Sequence, residues 1–290
     1  MPTLLDFRRR IRSVKNTQQI TRAMKFVSAA RLRRAQEAAL AARPFAIELK
    51  RVLRSTMARI ESPQHPLLAK RPEERILVLV LAGERGLAGA FNSNILREAF
   101  KFLKSKRDKK LLVIPVGKKS RDALRKAGLE FVGEYVNVLA RVDLGVAREI
   151  ANLITSLYAE EKVDAVYAVF SEFKNVIAPN LITEKLLPVE KIGPGEADQQ
   201  EAGDQTDYIY EQPAEQILDR LLPRYVETQV LRALLESSAA EHAARMTAME
   251  AATNNAGDVI EALTLHMNKV RQAAITKEII EIVSGASHVT

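Results

Sequence analysis

Between Leu235 and Ala274, apolar and small residues recur in unbroken alternating steps of four and three: Leu235, Ala239, His242, Met246, Met249, Thr253, Ala256, Ile260, Leu263, Met267, Val270 and Ala274. A heptad seam of this length predicts a helix packed lengthwise on another helix in a left-handed supercoil. The seam is thin. Its flanks hold Ser237-Ser238-Ala239-Ala240 and Ala251-Ala252, which let a partner come close but contribute little burial. A long helix with so thin a seam reads as a shaft rather than the middle of an ordinary core.

A candidate partner opens the chain. Leu4, Phe7, Ile11 and Val14 follow helical spacing. Ile20, Met24 and Val27 continue it after a phase slip, and Ala35, Ala38, Ala42, Phe45, Leu49 and Val52 resume the alternation. One helix from Leu4 to Ile60 is predicted, roughly 85 Å long at about 1.5 Å per residue. Pro44 should kink it, as Pro223 should kink the last helix. If the two long helices pair, they run antiparallel, and the last outreaches the first by about 14 residues, roughly 20 Å. Its stop is expected at Gly285.

The middle has another texture. Ile76–Leu81 is a continuous apolar run, as in a strand covered on both faces. Strands follow at Leu111–Val116, within Phe131–Val138, and at Asp164–Phe170. Helices lie between them, at about Asn92–Lys104, Ser120–Ala127 and, capped by Asp143, up to Tyr158. Edge strands fit within Val176–Val189, limited by Pro179 and Pro188. Residues 193–207 are acidic and turn-rich, and Tyr208–Tyr210 could form a short strand. The predicted class is α/β: an antiparallel two-helix coiled coil of the terminal helices (1–60 and 212–290) around an inserted Rossmann-like α/β domain (73–210).

Composition narrows the chemistry. Cysteine is absent, which excludes disulfides, Cys-ligated metal and thiol catalysis. His65, His242, His266 and His288 have no metal-ligand spacing. No run of 18 uncharged apolar residues offers a membrane span. The Arg-rich start extends its helical pattern beyond the length of a transit peptide and reads as mature protein. The net charge of +8 is uneven: residues 1–59 hold fifteen Lys and Arg against three Asp and Glu, so the rest is acidic. A basic helix fits nucleic acid or an acidic protein partner. Phe7, Phe26 and Phe45 sit at helical spacing and read as packing residues rather than base-stacking ones.

Gly83-Glu-Arg-Gly86-Leu-Ala-Gly89 lies between a strand and a helix, where nucleotides bind in Rossmann-type sheets. The spacing is G-x-x-G-x-x-G, and Glu84 would face a phosphate. A tight strand-to-helix turn without ligand is the simpler account. Gly117-Lys-Lys-Ser120 lacks the earlier glycine of a phosphate loop. No acid pair, Ser/His/Asp set or Cys/His set stands out, so neither a self-contained active site nor a cofactor is expected.

Three segments carry a resemblance. Ile11-Arg-Ser-Val-Lys-Asn-Thr-Gln-Gln-Ile-Thr-Arg-Ala-Met-Lys25, the turn Gly86-Leu-Ala-Gly-Ala-Phe-Asn92, and Arg271-Gln-Ala-Ala-Ile-Thr-Lys-Glu-Ile-Ile-Glu-Ile-Val-Ser-Gly-Ala286 resemble the γ subunits of F-type ATP synthases of the bacterial type, with the match running the whole chain. The resemblance implies a rotor shaft inside a ring of α and β subunits, with a foot on the membrane c-ring and the ε subunit. It implies a non-catalytic role, no nucleic acid partner, and a peripheral place on the cytoplasmic side of the inner membrane. It also assigns residues. Met24 and Lys25 would meet an acidic lever of β, Arg271 and Gln272 would form a catch on a β subunit, and Thr276 and Glu278 would lie nearby in the stalk packing. Ile279–Thr290 would turn in a bearing. The redox cysteine pair of photosynthetic relatives has no counterpart.

Overall fold

In the computed structural model, residues 3–58, 60, 65–173, 180–189 and 213–287 are described. The loop 193–207, Tyr208–Tyr210 and residues 288–290 lie outside them. Helix α1 runs from Leu4 to Ala58 and α5 from Ala214 to Ser287, each continuous through its proline. Between them come β1 (Arg75–Leu81), α2 (Phe91–Ser105), β2 (Lys110–Val116), α3 (Lys118–Lys126), β3 (Glu130–Phe131), α4 (Leu144–Ala159), β4 (Ala165–Glu172) and β5 (Asn180–Leu187).

The chain divides into two compact units, residues 1–29 with 245–290, and residues 30–244. In the second, the sheet order is β3-β2-β1-β4-β5, parallel except for β5, which pairs antiparallel with β4. Successive β1 residues point to opposite faces. Leu77, Leu79 and Leu81 join Ile150, Ile154 and Tyr158 of α4 with Leu222, Val226 and Val230 of α5. Ile76, Val78 and Val80 join Phe91, Ile95 and Ala99 of α2 with Leu124 of α3. Burial on both faces is why β1 reads as an uninterrupted apolar run.

Polar groups fix the ends. Asp143 Oδ1 accepts from the Gly145 N–H at 3.0 Å, capping α4 as expected. Thr3 and Asp6 cap α1 reciprocally, Asp6 Oδ2 accepting from the Thr3 N–H at 2.9 Å and Thr3 Oγ1 from the Asp6 N–H at 3.2 Å. The Thr3 N–H and hydroxyl, both donating to Asp6 Oδ2, hold the Asp6 carboxyl below its usual range. Asp164 receives both the Arg75 backbone N–H (2.8 Å) and its guanidinium (2.7 and 3.1 Å), clamping β4 to β1.

In the first unit α1 and α5 pair antiparallel. Phe7 meets His266 with ring centroids 5.0 Å apart. The hydroxyls of Thr21 and Thr253 are 2.8 Å apart, Gln18 Nε2 donates to the Thr253 carbonyl at 3.3 Å, and Lys25 Nζ reaches Glu250 at 2.6 Å. This register sets the start of α1 near residue 270, so 271–287 run on beyond it. The expected outreach of α5 is present. The seam from Met246 to Ala274 is sheltered at every expected position.

Three expectations need correction. The phase slip in α1 does not exist: the sheltered positions continue in register through Gln18, Thr21, Lys25, Ser28 and Leu32, while Ile20 and Val27 stand outward at 59 % and 53 % exposure. A polar stretch of seam carries the register, so hydrophobicity alone points to the wrong face. Phe26 and Phe45 are mostly exposed, at 60 % and 61 %, rather than packed in the core. Gly285 does not end α5, which continues to Ser287.

Candidate functional site

The order β3-β2-β1-β4-β5 puts the topological switch point between β1 and β4. Open α/β sheets bind ligands in the crevice beyond the carboxyl ends of such strands. Here α5 fills that crevice. Ser237 Oγ lies 3.5 Å from the Leu81 carbonyl at the end of β1. Glu236 accepts the N–H of Phe173, just past β4, at 2.9 Å. Ser238 donates to the Leu139 carbonyl at 2.9 Å, and Ala240 joins the core beside Ala82, Ala88 and Phe91. Small residues are required because helix backbone meets strand ends. The stretch 237–240 therefore serves close approach to the sheet, where the seam had suggested close approach of a partner helix.

The glycine turn is likewise satisfied from within. The Gly83 N–H donates to Asn92 Oδ1 at 2.8 Å, and Asn92 Nδ2 donates to the Arg85 carbonyl at 3.1 Å. A Cβ on Gly83 would stand 2.8 Å from Glu241 Oε1. Glu84 accepts the Lys118 N–H at 3.0 Å, so the start of α3, where a phosphate would be held, carries the chain's own carboxylate. Gly117 has φ +91°, and a Cβ there would fall 1.8 Å from the Ala82 carbonyl oxygen. The nearest feature to a phosphate loop is thus a sealed junction between β1 and α3. Leu87 in the same turn has φ +61° and is 64 % exposed. An exposed leucine in the left-handed region is uncommon, and nothing in the sequence marked it. Among the described residues, no group of three or more His, Cys, Asp and Glu side chains could hold a metal.

What stays open is helix surface. Met24 and Lys25 are half-buried on α1, with Lys25 tied to Glu250. Arg271, Gln272, Thr276 and Glu278 are all exposed on the part of α5 beyond the start of α1. The structure therefore brings the predicted residues into two sets: Met24 and Lys25 within the paired coil, the other four on unpaired helix. Thr276 and Glu278 do not take part in packing against α1. Alongside them Ile275, Ile279, Ile280 and Ile282 are exposed at 48–71 %, and Ile20, Phe26 and Val27 on α1 likewise. Their signal in sequence was an apolar residue off the heptad seam.

Helix surface of this kind, on a sheet whose ligand crevice is closed, defines a protein that works through assembly contacts. Comparison with known proteins gives the family. The chain matches the ATP synthase family over residues 3–289. It is 48 % identical to the ATP synthase gamma chain of Solibacter usitatus and 45 % to that of Pelotomaculum thermopropionicum, covering 99 % of both chains in each case. The chain belongs to the ATP synthase gamma-chain family. Among solved structures it resembles a chain of the Tetrahymena thermophila mitochondrial ATP synthase central stalk and c-ring, with TM-score 0.60, 26 % identity, and coverage of 80 % of this chain and 99 % of that one. A chain of the Euglena gracilis mitochondrial enzyme shares the fold at TM-score 0.68, with 21 % identity and coverage of 99 % and 94 %. No helix among the described residues is long and apolar enough to cross a membrane.

Proposed function

We propose that this chain is the central rotor shaft of an F-type ATP synthase, transmitting rotation of a membrane c-ring to catalytic β subunits in an α/β ring. The observation that carries the reading is the coil: two antiparallel helices pair along a seam that is polar on α1 from Gln18 to Ser28 and turn large apolar residues outward, and α5 continues past residue 270, beyond the start of α1. Isoleucines at 48–71 % exposure serve a protein that is enclosed by others. The chain itself makes and breaks no bond in the reaction. The sheet-bearing part is its foot, on the c-ring and the ε subunit, peripheral to the cytoplasmic face of the inner membrane.

Within this reading Arg271 and Gln272 meet a β subunit, with Thr276 and Glu278 on the same stretch. Met24 and Lys25 lie where the shaft passes an acidic lever of β. The Lys25–Glu250 pair then presents a balanced surface rather than a lone cation. The test is reconstitution. Purified α and β subunits mixed with this chain should form a complex and gain ATPase activity, and a bead fixed to the sheet-bearing part should rotate. Assembly without rotation would leave a static scaffold, and no assembly would reject the reading.

A further inference from the structure

Within the sheet-bearing unit, α1, α4 and α5 do not close on one another. They leave a pocket of about 630 Å³, within the range of roughly 300–1,000 Å³ typical of small-ligand sites. Its wall is aliphatic: Ala39, Ala42 and Leu49 from α1, Leu144 from α4, and Leu221 and Leu231 from α5. The alanines cause it, because facing positions with one carbon each cannot fill the space between helices held apart by leucine. Concave, mostly apolar pockets with a few polar groups at the edge are the usual form of small-ligand sites.

The rim is charged, and its charges are not balanced. Arg43, Arg148, Arg224 and Arg232 line the pocket with Glu227 and Glu236. Glu227 is buried and shared by two guanidinium groups, Arg148 Nε at 3.2 Å and Arg224 Nη1 at 2.9 Å. Arg232 pairs with Glu184. Glu236 is engaged by the Phe173 N–H. These four arginines and three carboxylates leave one cation in excess, and Arg43, exposed on α1, has no ion pair among the described residues. Phe45 stands at the mouth, 61 % exposed.

We propose that this pocket binds a free single-chain amphiphilic monoanion, such as a medium- or long-chain carboxylate, with its tail among the aliphatic residues and its head at Arg43. An apolar body requires the wall, and a single negative charge matches Arg43, the one arginine of the lining with no ion pair or hydrogen-bonded carboxylate among the described residues. Neither feature is used by the rotor reading, so the site would be additional to it.

Dodecanoate, titrated calorimetrically into the full chain below its micellar concentration, should saturate one site at least about tenfold more tightly than dodecyltrimethylammonium. Ala42→Phe fills the wall and Arg43→Glu reverses the head contact, and each should weaken dodecanoate by about tenfold or more. Arg43 is a surface residue, so Arg43→Glu remains decisive if Ala42→Phe loses its helical circular dichroism. No saturable binding, equal binding of the cationic amphiphile, or unchanged affinity in Arg43→Glu would overturn the proposal. So would sedimentation with phosphatidylglycerol vesicles that both substitutions abolish, since that result assigns the patch to a membrane surface.

Discussion

The sheet-bearing unit and the coil solve the same problem in opposite ways. In the sheet, β1 is buried on both faces, and even its carboxyl-end crevice is filled by Ser237, Ser238 and Ala240 of the same chain. In the coil, Gln18, Thr21, Lys25 and Ser28 occupy the seam while Ile20 and Val27 face outward. The sheet core spends its apolar residues on itself, while the coil leaves several of its largest apolar residues for neighbours. Stability should therefore be concentrated in the sheet, and assembly in the coil.

The largest effect should come from the sealed junction. Gly117→Ala places a Cβ 1.8 Å from the Ala82 carbonyl oxygen at φ +91°. Backbone must move, at an expected cost of about 3–5 kcal/mol, read as a lowered denaturant midpoint. A loss below about 1 kcal/mol would mean the junction is loose. A phosphate-binding loop would tolerate alanine no better, so ligand titration of the parent chain is the complementary check.

Glu73 comes next. Burial pushes its carboxyl up, but hydrogen bonds from Lys185 (2.8 Å), Lys106 (2.9 Å) and the Tyr167 hydroxyl (2.8 Å) outweigh that and hold it at about 2. The folded value lies below the ordinary one of 4.5. Its contribution is thus fully present above about 4.5 and disappears as pH falls toward 2. Glu73→Gln should cost about 1–3 kcal/mol near neutrality. The gap between variant and parent should close on acidification through that window. A gap that stays constant with pH would show that the ion cluster is not its source.

These two sites also mark what the sequence could tell. Strand and helix order was legible because β1, β2 and β4 each carry a largely continuous apolar run, and Asp143 advertises a cap. The role of Ser237–Ala240 was not, since small residues look alike whether they face a helix or the end of a strand. The polar seam of α1 was hidden for a related reason. Apolar periodicity points to the face with the larger apolar side chains, and between Gln18 and Ser28 that is the outward face. The four candidates on α5 could be named from the resemblance but not from pattern, because they are exposed polar residues off the seam.

In the coil the effects should be smaller and of a different kind. Thr253 Oγ1 lies 2.8 Å from Thr21 Oγ1 and also donates to the Met249 carbonyl at 2.7 Å. Thr253→Val should cost about 0.5–1.5 kcal/mol by leaving the Thr21 hydroxyl short of one partner. Adding Thr21→Val should recover most of it, because two methyl groups then face each other. Strictly additive losses in the double variant would show that the hydroxyls do not interact across the seam.

The sharpest form of the comparison uses two adjacent residues of α1. Val27 is apolar and 53 % exposed, while Ser28 is polar and 2 % exposed, its hydroxyl donating to the Met24 carbonyl at 2.8 Å. Hydropathy ranks them one way, and the coil places them the other. Val27→Asp should change the stability of the isolated chain by less than about 0.5 kcal/mol, whereas Ser28→Asp buries a charge in the seam and should cost a few times more. In reconstitution with α and β subunits the order should reverse among variants that fold. Val27→Asp, harmless alone, should weaken assembly, because an outward valine has no role until a neighbour covers it. Equal assembly by the parent and Val27→Asp would mean that this face of the coil stays in water, and that the outward apolar residues of α1 have no partner.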